Sequence, residues 1–270
     1  MDTRSTGPVS SLADWAGGEL RVRDDCEVTE TELLAADSFL VRDGRVLALG
    51  LHRSRFAETV REQGFADRAE VETFWDAAIG SLPREGDWFP RLELVRARDA
   101  LRLRFRLRTA PELTSELVVA TADADPRVVP HLKGPDLDRL SALRQRVQRR
   151  GAQEAIILDH GRVSDGTTTA LLWWRGDALY APPFSLPRVD SVAARTVRGV
   201  AAALGVPVED VAVRPSELEG AVLWAVNALH GIRAVTAWVG GPALAHDPAR
   251  TDAWRARFAA LARPLPDPLP

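Results

Sequence analysis

A single lysine, Lys133, stands among 35 basic residues in a chain of 270, within the stretch "HLKGPDLDRL" at 131–140. Arginine stays protonated in proteins, whereas a primary amine can lose its proton and attack a carbonyl to form a Schiff base. A lone amine in an arginine-rich chain is therefore a candidate nucleophile. The competing reading is a chance survivor on a solvated loop, and the residue type alone leaves the two open. Other reactive constellations are missing. The five histidines, at 52, 131, 160, 230 and 246, never fall at i, i+4 with a carboxylate between them, so they offer no metal site. Cys26 is the only cysteine, which excludes a disulfide framework and a thiolate zinc site.

The elements around Lys133 must position it. Pro135 suits a first helical turn, Asp136 and Asp138 suit the positive end of a helix dipole, and Gly151 can close the helix. Leu137, Leu140, Leu143 and Val147 form its apolar stripe. Lys133 is expected just before that helix. The dipole would lower the amine's pKa and the two aspartates would raise it, so the net sign stays open. Downstream, the pattern predicts a strand at 155–159, a turn at "DHGR", and strands within 167–183. A helix at 191–204 closed by Gly205, strands within 222–229 and 232–240, and a helix at 247–263 follow.

The first half predicts a hairpin over 38–49 about Asp43-Gly44, helices at 53–63 and 68–82, and strands at 90–96, 101–108 and 116–121. "LRLRFRLR" (101–108) alternates strictly and reads as a strand with arginines on one face; a phosphate or carboxylate site is the remoter reading. The expected organisation is a loose terminus at 1–12, an α/β domain at 13–122 and a linker at 123–131. A second domain at 132–263 and a proline-rich tail at 264–270 complete it.

A net charge of -3 and a pI near 6.0 argue against a nucleic-acid protein, which would need a basic face. The start has no charged segment leading into an apolar run, and nowhere do about 18 apolar residues follow one another. A cytoplasmic protein with no membrane span is expected. The tryptophans, Trp173, Trp174 and Trp238 among them, are expected mostly in the core.

Several blocks recur in an order that resembles the class IV aminotransferases, the fold-type IV group of pyridoxal-phosphate enzymes that includes branched-chain and D-amino-acid aminotransferases and aminodeoxychorismate lyase. They are "DGRVLALGLHRSRF" (43–56), Lys133 ahead of "GAQEAIILDHGRVSD" (151–165), "SVAARTVRGVAAALG" (191–205) and "VNALHGIRAV" (226–235). The resemblance covers about 34–240 and implies a two-domain α/β fold, with a smaller N-terminal α/β sandwich and a larger C-terminal pseudo-barrel. It implies pyridoxal 5′-phosphate held by Lys133 as the Schiff-base lysine and Arg55 on the phosphate. Asp165 would stand where the family has glutamate against the ring nitrogen, and Ser191, Val192 and Ala193 at the phosphate-binding helix start. Asn227 would lie near phosphate or substrate.

The Asn-Ala-Leu block is similar to aminodeoxychorismate lyases, and Ser38 matches a lyase threonine that returns a proton to the leaving pyruvate. The resemblance thus implies conversion of 4-amino-4-deoxychorismate to 4-aminobenzoate and pyruvate by a homodimer acting on a small amino substrate. An amino-acid transaminase and a non-catalytic relative are the alternatives. Three departures stand out: Ala170 replaces a family asparagine, "VRARDALRLRF" (95–105) replaces a glycine-rich loop, and "ADSF" (36–39) replaces Phe-Glu.

Overall fold

A computed structural model describes residues 10–23 and 31–267. Cys26 and residues 1–9 of the expected loose terminus lie outside them. The chain divides into two compact units, Met1–Glu112 with Ala262–Pro270, and Leu113–Leu261.

The first unit contains β1 (Ser10–Ala16), β2 (Glu19–Val22), β3 (Glu32–Ser38), β4 (Val41–Arg42), β5 (Arg45–Val46), α1 (Leu49–Glu62), α2 (Arg68–Gly80), β6 (Asp87–Trp88), β7 (Arg91–Ala97) and β8 (Ala100–Arg108). Five strands form an antiparallel sheet in the order β2-β1-β8-β7-β3. Side chains alternate across a strand, so Ala13, Trp15, Ala35, Asp37, Leu92, Leu94, Leu103 and Phe105 share one face by register. That face meets the helices: Trp15 packs edge-on against Phe74 of α2 at 5.8 Å. α1 buries His52, Phe56, Thr59 and Val60, and α2 buries Val71, Phe74, Trp75, Ala78 and Ile79, the spacing of one helical stripe. Asp67 caps α2 by accepting from the Glu70 amide at 2.9 Å.

The expected 38–49 hairpin is shorter. Asp43 and Gly44, at φ 46° and 66°, make the left-handed turn between β4 and β5, while Ser38 ends β3 in the larger sheet. Ser10–Leu12, expected loose, pair with β8. The C-terminal segment is not a free tail either. β17 (Arg263–Pro264) pairs with β5, and the Leu265 amide donates to the Gly44 carbonyl at 2.8 Å.

The second unit contains β9 (Glu116–Thr121), α3 (Leu137–Gln148), β10 (Glu154–Asp159), β11 (Arg162–Gly166), β12 (Ala170–Arg175), β13 (Ala178–Ala181), α4 (Val192–Ala203), β14 (Val208–Asp210), β15 (Val222–Asn227), β16 (Gly231–Val239) and α5 (Pro248–Ala259). Its sheet runs β11-β10-β9-β16-β15-β12-β13-β14. β11 and β12 are five places apart in that order, a flat distance of about 24 Å. Gly166 to Ala170 can span only about 14 Å. The sheet must therefore curl on itself into a half-barrel.

Its interior holds Leu117, Val119, Ile156, Leu171, Trp173, Leu223, Val235 and Trp238. α3 closes the outside through Leu143 and Val147 against Ala120, Ala155 and Ile157. On β12 consecutive tryptophans part: Trp173 points inward, and Trp174 joins Trp224 and Trp254 at 5.4 and 5.1 Å.

The division between units falls before β9, not after it as expected at 122. β9 pairs in parallel with both β10 and β16, and an apolar run does not reveal which strands it will join. The expected 123–131 linker lies within the second unit. Pro135 precedes the helix instead of opening it. Asp136 occupies the cap position, but its carboxylate turns back onto the Val128 and Val129 amides at 3.0 and 2.8 Å.

Candidate active site

Lys133 is half-buried in a segment fixed at both ends. On the far side, the Asp136 carboxylate holds Val128 and Val129, and Gly134, at φ 137°, allows the bend between. On the near side, Arg127 is almost fully enclosed, its side chain 2% exposed. Its guanidinium donates to Asp165 Oδ2 at 3.2 Å, to both Asp125 oxygens and to the Pro187 carbonyl at 2.9 Å. Sequence reasoning passed over Arg127; its only signal was an arginine set in an acidic, proline-bearing stretch.

Asp165, on β11, is buried. Its Oδ1 accepts from the Gly166 amide at 3.1 Å, and its Oδ2 from Arg127 and the Val189 amide at 3.3 Å. Burial pushes its pKa up to about 7, against the opposing charge of Arg127 and the two amides. Those three donors leave one of a carboxylate's roughly four acceptor positions.

Val189 leads directly into α4, whose cap is Ser191: its Oγ accepts from the Ala194 amide at 3.3 Å. Arg195 N bonds to the Ser191 carbonyl. Geometry leaves the first amides of a helix, here those of Val192 and Ala193, without intrahelical acceptors. The second unit therefore links the Lys133 segment, Asp165 and the α4 N-terminus through Arg127 and Val189.

β11 passes to β12 through Thr167, Thr168 and Thr169. Glu154, fully buried on β10, accepts from the Thr167 amide at 2.8 Å and from the hydroxyls of Thr167 and Thr168. A Cβ on Gly166 would lie 2.4 Å from Thr169 Oγ1 and 2.9 Å from the Thr169 carbonyl, so the link admits only glycine there. Asn227, at the end of β15, donates to the Thr168 carbonyl at 3.2 Å and accepts from the Leu229 and His230 amides at 3.1 and 2.8 Å. Its side chain thus ties the β15–β16 turn to the threonine run.

In the first unit, Arg55 of α1 grips Asp37 with two bonds of 2.8 Å, and His52 Nδ1 lies 2.7 Å from the same carboxylate. Burial would raise the Asp37 pKa, but Arg55 and His52 outweigh it and hold the carboxyl well below its usual range. Ser38, one residue on, faces the opposite side of the sheet, where register sets it beside Arg91.

The donor set of the second unit suits pyridoxal 5′-phosphate: an amine for its aldehyde, a buried carboxylate with an acceptor position to spare for its ring nitrogen, and helix amides for its phosphate.

Residues 34–238 match the family Amino-transferase class IV. Among curated proteins no match is found. Solved structures with the same fold include a branched-chain aminotransferase from Thermoproteus uzoniensis with norvaline (16% identity, 95% of this chain and 100% of that one, TM-score 0.78). A hypothetical aminotransferase from Mycobacterium tuberculosis in its alpha-ketoglutarate- and PMP-bound form is similar at 17% identity, 93% and 98% coverage and TM-score 0.77. The fold IV-transaminase CpuTA1 from Curtobacterium pusillum is similar at 19%, 93% and 97%, and 0.71. At these identities the structures speak for the fold, and the family match speaks for the rest: the chain belongs to the class IV aminotransferases and is a pyridoxal 5′-phosphate-dependent enzyme.

Proposed function

We propose that Lys133 holds the cofactor covalently and that the chain acts as a lyase of the aminodeoxychorismate type, releasing pyruvate and 4-aminobenzoate from 4-amino-4-deoxychorismate. The observation that carries the assignment of Lys133 is the Arg127 bridge, which ties the segment of the chain's only lysine to the buried carboxylate of Asp165. When bound, the cofactor supplies an electron sink for a carbanion at the substrate's Cα.

The chain's own residues do the rest. The Lys133 amine moves the proton at that Cα. Asp165 would accept a hydrogen bond from the ring nitrogen and, as a carboxylate, keep it protonated, a role suited by its buried position and its one spare acceptor site. The Val192 and Ala193 amides, with the Ser191 cap, hold the phosphate, and Arg55 takes the phosphate-binding role that the family pattern gives its position. Arg55 already stands rigid on Asp37. Asn227 fixes the turn beside Thr168. The Ser38 hydroxyl returns a proton to the departing three-carbon fragment. Residue pattern supports the lyase over its relatives through Ser38 and the Asn227-Ala228-Leu229 block. As in the family pattern, the working form is a homodimer.

Transamination of an amino acid is the second reading, favoured by the fold shared with branched-chain and other aminotransferases. Borohydride reduction of the purified yellow enzyme, followed by peptide mass spectrometry, is expected to place the cofactor on Lys133; a label elsewhere, or none, defeats the site assignment. Pyruvate release from aminodeoxychorismate then supports the lyase. Conversion of the bound cofactor to its amine form by amino acids, without pyruvate release, assigns the transaminase instead.

A further inference from the structure

Inside the half-barrel of the second unit, one guanidinium has no acceptor among the described residues. Strand register sets Leu171, Ala225 and Arg233 in one row across β12, β15 and β16. Leu171, Ala225 and Val235, the last two residues beyond Arg233 on the same strand, belong to the apolar interior. Side chains alternate across a strand, so Arg233 enters the interior beside them. Only 3% of it is exposed.

A buried charge calls for an opposite charge in contact, and arginine cannot escape that demand by losing its proton as a buried lysine does. Yet Arg233 Nε is buried without a hydrogen-bond partner, and among the described residues no carboxylate lies within ion-pair distance of the guanidinium. Glu154 is the opposing charge in electrostatic reach. Its oxygens are already taken by the amides of Ala155 and Thr167 and the hydroxyls of Thr167 and Thr168. Those four donors fill a carboxylate's roughly four acceptor positions.

The other neighbours do not supply the missing negative charge. Arg144, whose Nε donates to the Gln153 carbonyl at 2.8 Å, opposes the charge of Arg233. His230 Nδ1 accepts from the Thr114 amide at 3.2 Å, which puts the ring proton on Nε2. Burial, then Arg233 and Arg144, lower the His230 pKa to about 4, so the imidazole is neutral at pH 7. Two guanidiniums thus share the region with one fully occupied carboxylate, and the local balance is positive.

We propose that the half-barrel binds a small inorganic anion, a halide ion, in contact with the Arg233 guanidinium. A side chain so enclosed among Leu171, Ala225 and Val235 suits a monatomic ion rather than an organic acid or a phosphate ester. None of these residues is assigned to cofactor or substrate, so the inference is independent of the lyase reading.

Thermal melts of the whole protein at fixed ionic strength, with sodium gluconate exchanged stepwise for sodium chloride, test it. The midpoint is expected to rise by about 3–5 °C for each tenfold increase in chloride above its dissociation constant, alike in cofactor-free and cofactor-loaded protein. Arg233→Gln is expected to abolish that rise while melting in gluconate no lower than the wild type, since a buried unmatched charge is removed. Crystals soaked in bromide give a reading that needs no variant: an anomalous peak in contact with the Arg233 guanidinium is expected. Equal midpoints in chloride and gluconate, or no bromide at Arg233, would overturn the proposal. A chloride effect that survives Arg233→Gln would overturn it too. So would one that disappears on cofactor loading, which would assign Arg233 to the cofactor's phosphate instead.

Discussion

Arg127 Nη1 lies 3.2 Å from Asp165 Oδ2 with both side chains enclosed, 2% and 9% exposed. The pair couples the chain segment that carries Lys133 to the carboxylate expected to face the ring nitrogen. Arg127 is the leading influence that keeps the Asp165 pKa from rising further. Arg127→Gln should therefore shift the titration midpoint of Asp165 above 7 in the cofactor-free protein. Carboxyl 13C NMR with labelled aspartate measures this directly, and a midpoint that stays put or falls would contradict it.

The same carboxyl makes a stability prediction with a definite sign. Its folded pKa, about 7, lies above the ordinary 3.8. The stability linked to its proton is thus fully present near pH 4 and is lost as pH rises through 7. Asp165→Asn removes that loss. In urea melts of the cofactor-free protein, the variant should gain on the wild type between pH 4 and pH 8, by at most roughly 4 kcal/mol. A constant difference across that range would count against the raised pKa.

Asp37 should behave in the opposite sense. Its carboxyl is held below the usual range by Arg55 and His52 despite burial, so the stability it contributes is present above the ordinary carboxylate pKa and is lost as pH falls. Asp37→Ala leaves Arg55 and the buried His52 without their shared acceptor and should cost about 3–5 kcal/mol at neutral pH. Chemical denaturation measures it; a cost below about 1 kcal/mol would show that the triad is dispensable.

Gly166→Ala should be costly, since the new methyl would meet Thr169 Oγ1 at 2.4 Å and the Thr169 carbonyl at 2.9 Å. A loss of about 1–3 kcal/mol is expected from such overpacking. Gly166→Ala with Thr169→Ala should recover only part of it, because the carbonyl clash remains. Full recovery in thermal melts would mean that the hydroxyl alone sets the constraint.

Much of the local structure was legible in the residues. The stripe Leu137, Leu140, Leu143, Val147 gives α3, Asp43-Gly44 gives a tight turn, and the alternation of "LRLRFRLR" gives β8. These signals live within a few residues of one another, and period and turn chemistry are local properties. Lys133 stood out by type alone. Its surroundings did not, because Arg127, Asp165 and Val189 meet only when β11 and the approach to α4 fold over the 123–136 segment.

The unit boundary shows the same limit from another side. β9 looks like any apolar strand, and only parallel pairing with β10 and β16 assigns it to the second unit. Likewise Ser38 and Asp37 are neighbours in the chain, yet the pleat sends one to the arginine face and the other to the helices. The sequence by itself determined the element types, the lone amine and the alternation of charge along β8. The tertiary structure alone decided which strands pair, which carboxylates are matched by arginines and which arginines are left over, since those outcomes depend on contacts between residues far apart in the chain.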